Sequence, residues 1–326
     1  MSTPWPDPHP GRTESGQQGW SEPEELGAVR VRVPAKINLH LGVGPVRPDG
    51  YHELRTVYQA ISIYDEVTVR PGDTLSLTLE GEGVGELTLD SSNLVIRAAT
   101  ALAEYAGVPP RARIHLRKQI PLAAGLAGGS ADAAATLVAC DALWKLHLPR
   151  AELARLAGRL GADVPFLLYG GIALGTGYGE RISPVLTSGG EWHWVVAISD
   201  GGLSTPEVYR QLDRMRADGT APPALAPPDR VLVALRQRDP RVLAGTLGND
   251  LAPAALALRA ELRGVLTAGA DAGALAGLVS GSGPTCVFLA RDATHAAEVA
   301  ARLRQQRVAR EVRVAHGPVP GARIVG

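Results

Sequence analysis

The sequence predicts an α+β layered protein, and three observations carry that prediction. Residues 29–93 read mainly as strands, with apolar and polar residues alternating. Residues 113–147 run strand, glycine-rich loop, long helix. Beyond several helices, the C-terminal part closes as strand, turn, strand, helix, strand, the signature of helices layered on a sheet. A chain of 326 residues fits two domains or one large α/β unit.

In chain order, residues 1–26 carry Pro4, Pro6, Pro8, Pro10 and Pro23 among Gly, Ser, Gln and Glu, and show no periodicity. They read as a disordered extension. Order begins with Val29, Val31 and Val33 alternating with Arg30 and Arg32, and resumes with Ile37, Leu39 and Leu41. Pro34 and Ala35 mark a bulge or kink between the two halves. Lys36 follows at once. It is one of only three lysines in a chain with 33 basic residues, the others being Lys118 and Lys145. Lys118 sits at a polar position of a strand and Lys145 late in a helix, where a cation suits the dipole. Lys36 lies between Ala35 and Ile37, where an ammonium needs an anionic partner or ligand, unless it snorkels from an edge strand.

Pro48, Asp49 and Gly50 form a turn, followed by Tyr51 and His52 on a loop and by strand material over 58–69. Residues 75–83 and 85–93 read as two further strands. A helix starts at Asn93 and stops at Gly107 and Pro109. Residues 113–120 alternate again as a half-buried strand and lead into the loop Pro121, Leu122, Ala123, Ala124, Gly125, Leu126, Ala127, Gly128, Gly129, Ser130, Ala131. A long helix follows from about Ser130, its expected N-cap. Glycines allow close backbone approach, and the free N–H groups and dipole of a helix start favour an anion. The loop has neither the Lys-Ser/Thr of a Walker A sequence nor G-x-G-x-x-G. On its own it is equally a tight turn into an alanine-rich helix.

Residues 150–161 form a short helix with Leu153, Leu156 and Leu160 on one face, ended by Gly161. Asp163 then stands alone before Val164 and Pro165, where an extended path is expected. It either ties down the turn or, near bound phosphates, serves as a general base with Lys36 as counter-ion. Gly170, Gly171, Gly175, Gly177 and Gly179 indicate a strand–turn–strand with close packing. Residues 191–199 form a strand, and a helix begins near Thr205. Further helices are expected over 229–237 and 250–268, then two apolar strands around Gly281-Ser282-Gly283, a helix and a last strand.

Zero formal net charge removes the electrostatic footprint of nucleic-acid or anionic-lipid binding. Cys140 and Cys286 lie in apolar runs and read as core residues. No apolar stretch is long enough to span a bilayer and no signal peptide is seen, so a cytoplasmic protein is expected.

Three segments, VPAKINLHLGV, PLAAGLAGGSADAAA and LVSGSGPTCVFLA, stand in an order and spacing that resemble the three motifs of the GHMP small-molecule kinases. RPDGYHELRT and GADVPF add to the likeness, which covers about residues 28–316. The resemblance implies a two-lobed GHMP kinase fold: a ribosomal-protein-S5-like lobe over 27–187 and a ferredoxin-like lobe over 188–326, with substrate in the cleft. It implies ATP as co-substrate with Mg²⁺, and Lys36 and Asp163 as the catalytic pair. Pro121 to Ala131 would wrap the ATP phosphates, with Asn93 and Leu94 on the adenine side. Asn38, Tyr51, His52, Thr205 and Tyr209 would face a small cytidyl-linked alcohol, with Tyr51, His52 and Tyr209 at the cytosine. The metal ligands stay unassigned, and Asp132 either faces away from phosphate or helps hold Mg²⁺. Monomer and homodimer both remain open.

Overall fold

The computed structural model describes residues 27–187 and 189–325, so the expected disordered extension lies outside the described residues. β1 (Val29–Val46) and β2 (His52–Arg70) form a long antiparallel pair around the turn at 48–50. Their register slips between Pro34 and Ala35, at the expected bulge. Proline has no N–H to give the ladder, so the strand bends there. β4 (Ala112–Lys118) pairs with β2, and β3 (Leu75–Gly81) runs parallel to β4 at the edge. β5 (Ile172–Thr176) pairs with β2, and β6 (Arg181–Pro184) pairs with β5.

Residues 85–93 are not the strand expected of them; turns occupy this stretch. Asp90 accepts from the backbone N–H of Ser92 at 2.9 Å and from its hydroxyl at 2.6 Å, a local bonding pattern that competes with a sheet ladder. Helix α1 (Leu94–Ala106) starts as expected, with the Asn93 side chain accepting from Val95 N–H, and ends at left-handed Gly107.

Helix α2 (Gly128–Leu143) begins two residues before the predicted start. Ser130 is therefore in its first turn and is not the cap; Ala127 holds the N-cap position with φ 58° and makes no side-chain bond. α2 is apolar nearly all round because it is buried between the hairpin, α1, α3 (Arg150–Leu160) and α4. That last element, α4 (Val164–Tyr169), replaces the predicted extended path. Proline fits the first turn of a helix, where its missing N–H has no partner to lose. A six-residue apolar run has no periodicity by which to tell helix from strand.

The second lobe is built on the antiparallel sheet β11-β7-β10-β9, formed by β7 (Trp192–Ile198), β9 (Ala276–Val279), β10 (Cys286–Ala290) and β11 (Glu311–Gly317). Numbered within the lobe, this order is fourth, first, third, second, the split βαβ pattern of ferredoxin-like folds. The helices between the first and second strands are α5 (Thr205–Ala217), α6 (Asp229–Gln237), α7 (Pro240–Ala244), α8 (Ala252–Leu258) and α9 (Leu262–Asp271). α10 (Ala293–Gln306) joins the third to the fourth. The single helix expected over 250–268 is thus two, broken at residues 259–261.

Two short strands cross back to the first sheet. β8 (Gly248–Asn249) lies parallel to β1, and β12 (Arg323–Ile324) pairs with its start. Neither was anticipated, since two-residue strands carry no pattern. The segment leading to β12 also binds α4: Ala322 N–H donates to Leu167 O at 2.8 Å and Gly321 N–H to Tyr169 O at 3.2 Å. Arg150 adds bonds to Leu168 O and Ala322 O. The carbonyls that a helix end leaves open are filled by the chain's last residues.

Candidate active site

Side chains two apart on a strand share a face, so the bulge before Lys36 aims Lys36 and Asn38 together. Lys36 Nζ donates to Asn38 Oδ1 at 2.8 Å, and Asn38 Nδ2 donates to Thr56 Oγ1 at 2.7 Å. Thr56 Oγ1 in turn donates to His40 O. Lys36 is buried, and the Asp163 carboxylate lies 3.6 Å from its ammonium. This supplies the anionic partner that the sequence demanded, and the edge-strand reading of Lys36 falls.

Tyr58 completes the cluster and was passed over in the sequence, where it read only as strand material. It stands opposite Asn38 in the β1–β2 ladder, so the pairing places it on the same face. Its ring stacks on Phe166 at 4.8 Å and lies 5.7 Å from Lys36 Nζ. Burial, reinforced by the charge of Asp163, holds the phenol well above its usual range. It remains a neutral phenol beside the carboxylate. Gly175 explains part of the glycine-rich stretch: a Cβ there would come within 2.6 Å of the Tyr58 ring.

The loop over 121–127 arches between the lobes. Lys36 N–H donates to Leu126 O at 3.2 Å, while Ser280 Oγ donates to Gly125 O at 3.0 Å. Gly125 has φ 74°, and a Cβ on it would overlap the Ser280 carbonyl. Only glycine fits where this loop lies on the second lobe's Gly-Ser-Gly turn. Ala123 and Ala127 also adopt positive φ, 47° and 58°. Non-glycine residues held there store strain of the kind found at ligand clamps.

These elements enclose a cavity of about 520 Å³. Among the predicted residues, Lys36, Asn38, Leu94, Asp163, Thr205, Tyr209 and most of the loop line it: Pro121, Leu122, Ala123, Ala124, Gly125, Ala127, Gly128, Gly129 and Ser130. Leu126 and Ala131 point into the core instead, and Asn93 is occupied as the α1 cap. Tyr51 is exposed at the rim with its ring 5.2 Å from that of Tyr178, which lines the cavity. His52 lies behind Tyr209, ring centroids 5.0 Å apart, and its Nε2 is 2.9 Å from Asp213 Oδ1. Burial, then Asp163, raises the Tyr209 phenol above its ordinary range. Thr205 Oγ1 meets Ser282 Oγ at 2.8 Å.

Asn249 was also missed. Its Nδ2 donates to Val279 O and Gly281 O, fixing the Gly-Ser-Gly turn against β1. Asp132, open between two readings in the sequence, faces away from the cavity and bonds Lys118 Nζ at 2.7 Å. Lys118 is accordingly a buried ion-pair residue rather than a half-exposed strand lysine.

A buried ammonium beside a carboxylate, facing the first turn of a buried helix across one cavity, is an arrangement for handling phosphate next to an ionisable hydroxyl. Residues 93–171 match the model for "GHMP kinases N terminal domain" and residues 231–309 that for "GHMP kinases C terminal". A protein of Salinispora arenicola named 4-diphosphocytidyl-2-C-methyl-D-erythritol kinase is 67% identical over 313 residues, covering 96% of this chain and 99% of the relative. The chain belongs to the GHMP kinase family. A relative of the same name from Mycolicibacterium gilvum is 56% identical, covering 94% of this chain and 95% of its own. A crystal structure of 4-(cytidine 5'-diphospho)-2C-methyl-D-erythritol kinase superposes with TM-score 0.71 at 36% identity, covering 88% of this chain and 98% of that one. A homoserine kinase from Cytophaga hutchinsonii, at 19% identity and TM-score 0.71, shares the fold. Among the described residues, no helix is long and apolar enough to cross a membrane.

Proposed function

We propose that this GHMP kinase transfers the γ-phosphoryl group of ATP to the 2-hydroxyl of 4-diphosphocytidyl-2-C-methyl-D-erythritol, a step of the non-mevalonate route to isoprenoid precursors. The observation that carries this is the Lys36–Asp163 pair at 3.6 Å, set in the same cavity as the α2 start. Phosphoryl transfer needs positioning and charge stabilisation more than covalent help from the protein. The backbone N–H groups of Gly128, Gly129 and Ser130, free of intrahelical partners, receive the phosphates with the helix dipole behind them. Asp163 accepts the hydroxyl proton as the alcohol attacks. Lys36, held by Asn38, faces that carboxylate, orients the hydroxyl and offsets charge on the moving phosphoryl group.

No group of three or more His, Cys, Asp or Glu able to hold a metal occurs among the described residues. The cavity nevertheless offers the Ser130 hydroxyl, which would hold a Mg²⁺ carried in on the nucleotide, an ion that takes few protein ligands. When bound, the ion would neutralise phosphate charge. Tyr51, Tyr178 and Tyr209 gather at one end of the site, with His52 packed behind Tyr209, and offer the aromatic faces and hydroxyls that a cytosine needs.

The test is ADP release from ATP and Mg²⁺ with the cytidyl alcohol, homoserine and mevalonate compared. Release dependent on the cytidyl alcohol alone is expected. Preference for another alcohol would make this a GHMP kinase of different substrate, and ATP binding without turnover of any would make it a nucleotide-binding protein.

A further inference from the structure

Directly under the loop lies an ionic cluster that the chemistry above does not use. Lys118, at the end of β4, donates to Asp65 Oδ2 at 2.6 Å and to Asp132 Oδ2 at 2.7 Å. Asp65 Oδ1 also accepts from the backbone N–H groups of Gln119 at 2.5 Å and Ile120 at 2.7 Å. Asp65, Lys118 and Asp132 are 0%, 2% and 3% exposed.

The connectivity of this cluster is specific. Asp65 belongs to β2, Lys118 to Ile120 form the entry to the loop, and Asp132 belongs to the second turn of α2, at its exit. One buried knot therefore holds both ends of the loop to the same strand. The Lys118 ammonium also sits directly beneath the first residue of α2: a Cβ on Gly128 would be 3.0 Å from Nζ.

Energetics argue that such a knot is not there for stability alone. Buried ion clusters seldom outperform well-packed apolar residues of the same volume, although removing one partner is costly. This one has a visible defect, since Asp132 Oδ1 is buried without a partner. Burial, with the charge of Asp65 added and Lys118 opposing, pushes the Asp132 carboxyl well above the usual carboxylate range. A group kept at such expense is doing something apolar residues cannot, and directional bonding to the loop's two ends is what it visibly does.

We propose that Asp65, Lys118 and Asp132 are positioning residues that hold the loop over 121–130 in its ATP-receiving shape. This rests on the reading that the loop takes the ATP phosphates. Loss of the knot lets the first turn of α2 drift, and an ångström of drift in a binding loop is felt in affinity. The alcohol side of the cavity, built on Lys36, Asn38 and α5, does not hang from the knot.

The experiment measures dissociation constants for ATP with Mg²⁺ and for the cytidyl alcohol by calorimetry, with a thermal melt for each variant. Asp132→Leu leaves Lys118 and Asp65 as a balanced pair. It should weaken ATP about tenfold or more while the alcohol changes by less than roughly twofold. Asp132→Asn keeps an oxygen acceptor for Lys118 and should restore ATP affinity to within about threefold of wild type. Should Asp132→Leu not fold, Asp132→Ala, which adds no bulk and likewise leaves Lys118 paired with Asp65, carries the same expectation. Gly129→Asp tests the underlying reading separately, because Gly129 is exposed and has room for a Cβ. If Gly129→Asp weakens ATP but the folded Asp132→Leu does not, or if Asp132→Leu weakens both ligands equally, the positioning role is overturned. If Gly129→Asp leaves ATP untouched, the phosphate-loop reading itself falls.

Discussion

Replacing Asp163 by Asn removes the proposed base while keeping size and one acceptor oxygen. Losing a general base costs about 10²–10⁴ in kcat, equivalent to roughly 3–5.5 kcal/mol of barrier. The Lys36–Asp163 attraction at 3.6 Å is about 4.6 kcal/mol at an effective dielectric near 20. The Asp163 side chain is 29% exposed and partly screened by water, so the expected loss of stability is smaller, about 1–3 kcal/mol. Lys36 retains Asn38 Oδ1 at 2.8 Å, which argues that the fold survives. ATP affinity should stay near wild type, because the loop over 121–130 is anchored through Leu126, Gly125 and the knot below and not through Asp163. Steady-state ADP release at saturating ATP and alcohol, with a parallel ATP titration, reads both quantities. A fall in kcat of less than tenfold, or a large loss of ATP affinity, would refute the assignment of Asp163 as base.

Three other outcomes are expected. Tyr58→Phe keeps the stack on Phe166 but removes the hydroxyl set near Asp163; kcat should fall about three- to tenfold with the KM for ATP unmoved, the size of one polar interaction, and steady-state kinetics will tell. Deleting the chain from Val319 onward removes the bonds from Gly321 and Ala322 to Tyr169 O and Leu167 O; a loosened α4 should lower kcat about tenfold or more by misplacing Asp163, and a wild-type rate would deny the tether. Burial pushes both Cys140 and Cys286 up to about 12, so only about one thiol in 10⁴ is thiolate at pH 8 and Ellman's reagent should react at the native protein's unfolding rate, rising sharply in denaturant; prompt reaction of either thiol in native buffer would contradict their burial.

The elements that sequence alone settled are those whose signal is local. Alternation announced β1 and β2, Asn93 and Gly107 bracketed α1, and the glycine-rich run between a strand and an alanine-rich helix marked the loop. Lys36 and Asp163 were legible because an ammonium and a carboxylate in apolar surroundings are costly unless they meet. What only the tertiary structure decided depends on partners far away in the chain. α4 is helical because five of its six apolar residues are buried and its last carbonyls find Gly321, Ala322 and Arg150. Tyr58 joins the site through strand register, and Tyr178 through a turn that folds back onto Tyr51. Asp132 is turned from the cavity by a lysine fourteen residues earlier and an aspartate from another strand. Composition and periodicity report what a residue prefers within a few neighbours; whether a charged group ends in a cavity or beneath it is set by which distant charge the fold brings to it.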